Sequence, residues 1–435
     1  MKLLFSYLDK RIPTIQKAIA PFAGRLEKQK HLASIKNGMQ DLTAVLLIGS
    51  FFFVISIILQ YLQKNLGVLG QLKLDLLNIP VQMTFGMLSI YAAISVSYRH
   101  AKRMDAPIIP SIFSSVFIVG VAVGGITPTG IDYGNFDSGG FLIALIVSLV
   151  TVEVVNKCTK YNLTAKFKHI PEGSVHTFQF VMPVVLLAAA FLTINLLIDT
   201  TTKQTNVSEL IFHYLFWGIE SIDTPVMVFI LVFLEMLFWF IGINGYAVLA
   251  GFILPFATFY LGEDLSAVMN GGTPEYIFTP NFWDYFASLS GAGIAGALVI
   301  LALGSKVKEI KSVGKTAVIP SLFSITEPIL YGLPIAFNIY LFIPFVIGTP
   351  ILATLQWYIF KWGFVNFPVV HVADAPIPIA QVLSTMDWRA LIMMIVVFIL
   401  AVIIYYPFFK LYEKSVIVEQ NNQDNDPYAD LDLDF

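Results

Sequence analysis

Long apolar runs without charge recur along this chain of 435 residues. Each run is close to the ~20 residues that an α-helix needs to cross a lipid bilayer. Hydrophobic residues make up 57% of the sequence and charged residues only 13%, about half the share in soluble domains. We therefore predict an all-α polytopic membrane protein with about ten transmembrane helices. The predicted spans are residues 42–63, 77–96, 107–125, 140–156, 178–198, 224–241, 245–262, 286–304, 337–360 and 390–409.

One apolar stretch, residues 317–338, is too broken to form an ordinary span. It reads AVIPSLFSITEPILYGLPIAFN, and Pro320, Pro328 and Pro334 each remove a backbone hydrogen-bond donor. Broken backbone at membrane depth is tolerated only where protein or a wet cavity surrounds it, and an ionisable residue there indicates a functional site. We predict a re-entrant hairpin near 317–336 that presents Glu327. The alternative is a proline-kinked helix whose Glu327 faces a neighbouring hydroxyl.

The distribution of basic residues predicts the orientation. Most of the 26 Lys and Arg lie in the first 41 residues, in alternate loops and in the C-terminal tail, whereas loops 126–139 and 263–285 have none. Basic loops stay in the cytoplasm. Both termini are therefore predicted to be cytoplasmic. Counting the broken stretch as an eleventh full span would invert the segments that follow it, so the parity also favours a hairpin.

The same patterns divide the chain. We predict that residues 1–41 form a helix at the membrane surface. Residues 201–223 are predicted to form an interfacial connector between two five-span halves, 42–200 and 224–410. The acidic segment 411–435 predicts a disordered cytoplasmic tail. Cys158 is the single cysteine, which excludes an intrachain disulfide. No nucleotide-binding or metalloprotease motif occurs, and we expect no cofactor, metal site or nucleic-acid partner.

Further charged and aromatic residues lie near the predicted span ends. For the carboxylates of Glu153, Asp223 and Glu235, pairing or snorkelling is the expected role. Trp239 and Trp283 belong to a group of aromatic residues suited to stacking on a sugar ring, but interfacial belts are the commoner use of such residues.

Four motifs resemble one family, the membrane (IIC) component of bacterial phosphoenolpyruvate-dependent sugar phosphotransferase systems, in its lactose, cellobiose and diacetylchitobiose branch. The resemblance covers nearly the whole chain and is most specific in the second half. The motifs are Phe323-Ser-Ile-Thr-Glu-Pro-Ile-Leu-Tyr-Gly-Leu-Pro334, Trp239-Phe-Ile-Gly-Ile-Asn-Gly245, Phe282-Trp-Asp284 with Ser290-Gly-Ala-Gly293, and Asp387-Trp-Arg389 with Tyr405-Tyr-Pro-Phe-Phe-Lys410.

The resemblance implies a sugar permease of the bacterial plasma membrane. A disaccharide would cross the bilayer and be phosphorylated by the phosphocysteine of a separate IIB subunit, which works with IIA. It also implies a homodimer among membrane lipids, with the dimer contact in residues 42–200 and the sugar in residues 224–410. The chain would be a transporter coupled to phosphoryl transfer, and the covalent chemistry would lie on IIB.

The resemblance also implies the site residues. Glu327 would hold the reacting sugar hydroxyl and accept its proton, and a carboxylate suits both tasks. The alternative is a structural Glu327 that accepts hydrogen bonds from nearby backbone N–H groups. Asn244 would donate to sugar hydroxyls from a glycine-rich turn, or else only hold that turn. The substrate-binding residues implied in this way are Glu327, Asn244, Thr326, Gly245, Ser324 and Asp374.

Three residues depart from the family pattern. Asn244 stands where the family has a histidine, Ser324 where it has an asparagine, and Ala373 or Asp374 where an aromatic residue is usual. Because asparagine cannot titrate, two other functions stay open. One is a sugar sensor that does not phosphorylate, and the other is an ion-coupled sugar transporter with Glu327 as its proton site.

Overall fold

The computed structural model describes residues 25, 28–66, 74–127, 130–132, 134–161, 172–201 and 222–424. Most of these residues are helical, which confirms the predicted all-α class. The part of the predicted surface helix before residue 28, apart from residue 25, most of the connector 201–223, and the tail beyond residue 424 lie outside the described residues.

The first half consists of long helices and one small β-hairpin. Strands β1 (Gly125–Thr127) and β2 (Gly130–Asp132) pair antiparallel, with Ile126 opposite Ile131. Three short 3₁₀ turns lie between helices, at Leu74–Leu77, Phe85–Met87 and Gly134–Phe136. The helices are α1 (Lys30–Leu66), α2 (Asn78–Thr84), α3 (Leu88–Met104), α4 (Ile108–Val123), α5 (Ser138–Lys160) and α6 (Glu172–Thr201).

The second half has more interruptions than the first. Two π-helical segments occur, Phe282–Ala287 and Ile343–Gly348. The helices are α7 (Pro225–Phe240), α8 (Gly245–Met269), α9 (Ala295–Leu303), α10 (Lys308–Leu322), α11 (Glu327–Gly332), α12 (Ile339–Phe342), α13 (Thr349–Lys361), α14 (Ile377–Thr385) and α15 (Arg389–Asp424).

Seven helical stretches of the described chain are long and apolar enough to cross a membrane. Helices α4 and α7 are apolar but shorter, so the predicted count of ten spans stays a prediction. The seven stretches are Lys30–Gln60, Asn78–Met104, Ser138–Lys160, Phe180–Ile198, Gly245–Met269, Ile339–Lys361 and Arg389–Val418.

The segment 286–304, predicted as a continuous span, is not one. Only α9 is an α-helix there, and its 9 residues rise about 14 Å, less than half of a bilayer core. The preceding loop contains Ser290, Gly291, Gly293 and Ile294 at positive φ, which no right-handed helix allows. The glycine pair of the Ser290–Gly293 motif therefore marks a loop and not the interior of a helix.

Two other boundaries differ from the sequence prediction. Helix α1 begins at Lys30, so residues 30–41 continue the first span instead of forming a separate surface helix. Helix α15 continues to Asp424, so the tail predicted from residue 411 is helical up to that point. Buried Glu413 explains the second difference, because it accepts hydrogen bonds from Ser305 Oγ at 2.5 Å and from the Lys306 backbone N–H at 2.8 Å. These bonds hold the end of α15 against the α9–α10 turn.

The two halves meet along α8, which packs on α1 and α5. A Cβ on Gly251 would lie 2.6 Å from the Leu32 carbonyl oxygen of α1, and one on Gly262 would lie 2.8 Å from Ser138 Cβ of α5. Small residues let helix backbones approach closely where lipid gives no hydrophobic drive between helices. One apolar core accordingly extends across this contact from α1 to α15.

Replacing Gly251 with valine is expected to lower the thermal unfolding temperature of the purified protein. The new side chain would overlap the α1 backbone, and overpacking of this kind costs about 1–3 kcal/mol. Gly120→Ala is the matched control, because a Cβ there meets nothing within 4 Å. Equal unfolding temperatures for the two variants would contradict the close packing of α8 on α1.

Candidate functional site

The broken stretch predicted around Glu327 is interrupted twice, just before Glu327 and again at residues 333–338, where Phe337 has a φ of 60°. Helix α10 ends at Leu322, Ser324 has a φ of 58°, and α11 begins at Glu327. Pro320 lies inside α10 and does not break it. Pro328 lies in the first turn of α11, where its missing N–H costs nothing. The break before Glu327 is therefore made by the left-handed Ser324. The side from which the stretch enters the membrane stays a prediction.

A second irregular loop, residues 288–294, packs directly on this turn. A Cβ on Gly291 would lie 2.3 Å from Thr326 Cγ2 and 2.5 Å from the Ser324 carbonyl oxygen. Only glycine fits there, because its φ of 81° also lies in the left-handed region. The Ser290 hydroxyl donates to the Ser321 carbonyl at 2.7 Å, so the two irregular segments support one another.

Asn244 caps helix α8 from the turn that follows α7. Its Oδ1 accepts a hydrogen bond from the Ala247 N–H at 2.8 Å, which satisfies one of the free donors of the first helical turn. A Cβ on Gly245 would lie 2.2 Å from the Glu235 carbonyl oxygen, so the glycine lets the turn close against α7. Asn244 thus holds its turn with the oxygen of its amide, while its NH₂ group has two donors that the cap does not use.

A side chain from another segment holds the loop that carries Asp374. The Asn281 amide donates to the Val372 carbonyl at 3.0 Å, and Asp374 itself has a φ of 53°. Carbonyls of the π segment Phe282–Ala287 accept hydrogen bonds from side chains. Gln356 and Gln381 donate to two of them, the carbonyls of Phe286 and Tyr285, each at 2.7 Å.

These four segments enclose a cavity of about 310 Å³. Five of the six predicted substrate-binding residues line it: Glu327, Asn244, Thr326, Ser324 and Asp374. The sixth, Gly245, lies behind the wall, where it permits the backbone contact with Glu235. The remaining lining residues are Glu235, Trp239, Tyr246, Asp284, Tyr285, Ser288, Gly291, Ala292, Phe323 and Ala373.

Glu327 and Asp374 lie at the accessible side of this cavity. Both residues are exposed, and no hydrogen bond to the Glu327 carboxylate comes from the described residues. The structural alternative, in which backbone N–H groups satisfy Glu327, therefore finds no support in the described chain. Its carboxylate oxygens are available for hydroxyl groups of a ligand.

The floor of the cavity contains the carboxylate of Glu235, for which the sequence predicts pairing or snorkelling, and the structure supports the first of these roles. Glu235 is not a snorkelling residue at a span end, because it is only 2% exposed. The Trp283 indole N–H donates to its Oε2 at 2.6 Å, and the Trp283 ring stacks on Tyr246 with centroids 4.8 Å apart. A carboxylate inside an apolar run indicates a functional site, and Glu235 meets this condition as Glu327 does.

The lining has four carboxylates, those of Glu235, Asp284, Glu327 and Asp374, and no Lys, Arg or His. Ionised carboxylates only accept hydrogen bonds, whereas hydroxyl groups both donate and accept. The lining therefore favours a ligand rich in hydroxyl groups and repels anions. Trp239 and Tyr285 add aromatic surface of the kind that covers the apolar face of a sugar ring.

A family model described as "Phosphotransferase system, EIIC" matches residues 36–349. The chain belongs to this family. It is a permease component of a phosphotransferase system, as the motifs around Glu327 and Asn244 predicted.

Curated relatives match along almost the whole length of this chain. The lichenan permease IIC component of Bacillus subtilis (strain 168) is 25% identical over 94% of this chain and 95% of its own. The cellobiose-specific EIIC component of Geobacillus stearothermophilus is 26% identical over 95% of this chain and 96% of its own. The lactose-specific EIICB component of Staphylococcus haemolyticus is 25% identical over 95% of this chain but 72% of its own length.

A solved structure has the same fold. It is the transporter ChbC, the IIC component of an N,N'-diacetylchitobiose-specific phosphotransferase system. The TM-score is 0.84 at 24% identity, with 94% of this chain and 99% of that chain covered.

The two roles of Asn244 can be separated with one substitution. Asn244→Asp keeps the capping oxygen and removes the NH₂ donors. We expect its stability to stay within about 0.5 kcal/mol of wild type while sugar affinity falls. Asn244→Ala removes both groups and should lose about 1 kcal/mol of stability as well. Thermal unfolding and sugar binding of the two purified variants provide the measurement, and full sugar affinity in both would limit Asn244 to its turn.

Proposed function

We propose that this chain carries a disaccharide of the cellobiose, lactose or diacetylchitobiose type across the bacterial membrane for phosphorylation by a IIB subunit. The observation that supports the site best is the convergence of Glu327, Asn244, Thr326, Ser324 and Asp374 on one cavity. The names of the relatives support the sugar class, because they refer to cellobiose, lactose, lichenan and diacetylchitobiose.

Glu327 is the residue proposed to act on the reacting hydroxyl. As an ionised carboxylate it accepts the sugar O–H, which orients the oxygen toward the incoming phosphoryl group. The oxygen attacks the phosphorus, the S–P bond of the IIB phosphocysteine breaks, and Glu327 receives the hydroxyl proton. General bases of this kind typically contribute ~10²–10⁴-fold to a rate. Its exposure on the open side of the cavity suits an approach by a second protein.

Asn244 supports the orientation of the sugar and not a proton transfer. Its NH₂ group can donate to hydroxyl oxygens of a sugar in the cavity, which is the donor role available to the family histidine. Ala373 or Asp374 stands where an aromatic residue is usual, so the proposed ring contacts fall to Trp239 and Tyr285.

A IIB protein is the proposed phosphoryl donor. The name EIICB of the lactose-specific relatives supports this partnership, because in them a IIC part and a IIB part form one chain. Vesicles that contain this chain, loaded with cognate IIB that already carries its phosphocysteine, should accumulate sugar phosphate from external cellobiose. Accumulation of unmodified sugar that a protonophore abolishes would instead identify an ion-coupled transporter, and sugar binding without any internal product would identify a sensor.

Two substitutions of Glu327 test its role. Glu327→Gln should retain sugar binding and lose phosphorylation, because the amide can hold a hydroxyl but cannot take its proton. Glu327→Ala should also weaken binding, because a charge-assisted hydrogen bond contributes about 1.5–3 kcal/mol, or ~10–100-fold in affinity. Sugar-phosphate formation and sugar affinity are measured for both variants. Unchanged phosphorylation in both would refute the assignment.

Both termini are proposed to lie in the cytoplasm. This orientation is supported by the basic residues near the first helix and between α9 and α10, opposite loops without Lys or Arg. A cysteine at Lys414, introduced into a Cys158→Ser background, should resist a membrane-impermeant thiol reagent in intact cells and react after lysis. Labelling in intact cells would place the C-terminus outside.

The dimer contact is proposed to lie in residues 42–200. Helix α6 supports a role at a covered surface, because its described apolar residues such as Met182, Leu186 and Leu196 are largely exposed in the single chain. Lipid and a second copy can share this surface. Cysteine crosslinks between protomers should form within this half. Crosslinks that form only through residues 224–410 would contradict the proposal.

A further inference from the structure

Three potential metal ligands meet in the first half of the protein, outside the sugar cavity. His31 lies in the first turn of α1, His100 in the last turns of α3, and Glu153 in α5. One ligand atom from each residue lies within 4.8 Å of the other two. Because the residues come from three different helices, the arrangement is tertiary and has no sequence motif.

The His100 imidazole has a free lone pair directed into this cluster. His100 is fully buried, and its Nε2 has no hydrogen-bond partner. That atom lies 3.8 Å from Glu153 Oε1, too far for a hydrogen bond. An unpartnered ring nitrogen in a buried site is costly unless something satisfies it.

The partners of Ser34 determine the tautomer of His100. The Ser34 hydroxyl donates its single proton to the Lys30 carbonyl at 2.7 Å, so its oxygen accepts from its two other partners, Arg103 Nη1 at 3.2 Å and His100 Nδ1 at 3.1 Å. Nδ1 therefore carries the proton and Nε2 the lone pair. A hydrogen bond from the distal N–H that orients a ring in this way is the usual support of a metal-bound histidine.

The other two ligands are accessible enough to admit an ion. The His31 side chain is 42% exposed and that of Glu153 28%, and His31 Nε2 lies 2.5 Å from Glu153 Oε1. Lys157 contacts the other Glu153 oxygen at 3.8 Å, but its side chain is 70% exposed and its charge is screened by solvent. Glu153 Oε1 therefore faces both imidazoles while Oε2 faces the lysine.

The ligand set selects the class of cation. Two imidazoles and one carboxylate, with a water in the fourth position, are a common tetrahedral set for Zn²⁺. Tetrahedral Zn–N and Zn–O bonds place ligand atoms about 3.3 Å apart, between the 2.5 Å and 3.8 Å distances of this cluster. Magnesium and calcium prefer oxygen ligands and fit less well.

We propose that His31, His100 and Glu153 form a Zn²⁺ site that joins α1, α3 and α5. The ion would take the place of the proton between His31 Nε2 and Glu153 and would satisfy the free nitrogen of His100. His31 would then carry its proton on Nδ1, so the Gln29 amide, whose Nε2 lies 2.8 Å from Nδ1, would have to turn its oxygen toward that N–H. It would connect the start of α1 to the end of α3, on which α1 packs, and to the end of α5, which packs on α3. The site is independent of the sugar cavity, so its test does not require transport.

The test uses the full-length chain in detergent, treated with chelator and then freed of it. Zn²⁺ is titrated against a chromophoric competitor, and Co²⁺ is titrated while its visible absorption is recorded. Wild type should bind one Zn²⁺ per chain, and Co²⁺ should show the intense bands of a four-coordinate ion. Zn²⁺ should also raise the unfolding temperature, because an ion that binds only the folded state stabilises it.

Two ligand variants and one control make the test specific. Glu153→Gln and His31→Gln should each lower Zn²⁺ affinity at least about tenfold, since even loss of a partner behind a ligand costs ~10–100-fold. Both should also abolish the rise in unfolding temperature. Glu309→Gln removes an exposed carboxylate on α10 and should behave as wild type. Both ligand side chains are partly exposed, so the variants should fold, which the unfolding temperature without metal verifies.

Three results would overturn the proposal. They are no stoichiometric Zn²⁺ binding by wild type, unchanged affinity in both ligand variants, or an equal loss in Glu309→Gln. Any of them would leave His31 and Glu153 as a plain ion pair beside a buried neutral histidine.

Discussion

The need to satisfy backbone hydrogen bonds in apolar surroundings is the constraint on which this structure depends. Helices satisfy their own backbone, but the second half of the chain interrupts its helices repeatedly. Several of these interruptions have a specific hydrogen-bond partner. Gln356 and Gln381 bind the carbonyls of the first π segment, Ser290 binds the carbonyl of Ser321, and Asn244 caps α8. Broken backbone is stable here because it is buried in protein.

The same interruptions create the cavity. Regular helices expose only side chains to a neighbour, whereas turns at Ser324, Gly291 and Asp374 bring backbone and short side chains to the wall. The close contact of Gly291 with Thr326 and Ser324 allows two irregular segments to share one surface. The cavity consequently lies where α-helical structure fails in several segments at once, and its carboxylates face a space that regular helices would have filled.

The first half differs in kind. Its helices are longer, and they pack on α8 at Gly251 and Gly262. Its ionisable cluster, His31, His100 and Glu153, is assembled across three helices. Arg99 on α3 also pairs with Asp41 on α1, with Nε 2.6 Å from Oδ2. Polar contacts in this half connect helices to one another, whereas those of the second half maintain an irregular site. This contrast supports a division between a scaffold and a substrate-binding half.

The sequence by itself determined the membrane class, the approximate positions of most helices and the importance of Glu327, because apolar runs and a carboxylate between prolines are local signals. It also indicated Asn244, Ser324 and Asp374, through motifs that stay contiguous in the chain. Only the tertiary structure decided that 286–304 contains a loop, that α15 extends past Glu413, and that Glu235 forms the floor of the cavity. It alone brought His31, His100 and Glu153 together. Burial and inter-helix contact depend on residues far apart in the chain, and hydrophobic periodicity carries no information about which distant residues will meet.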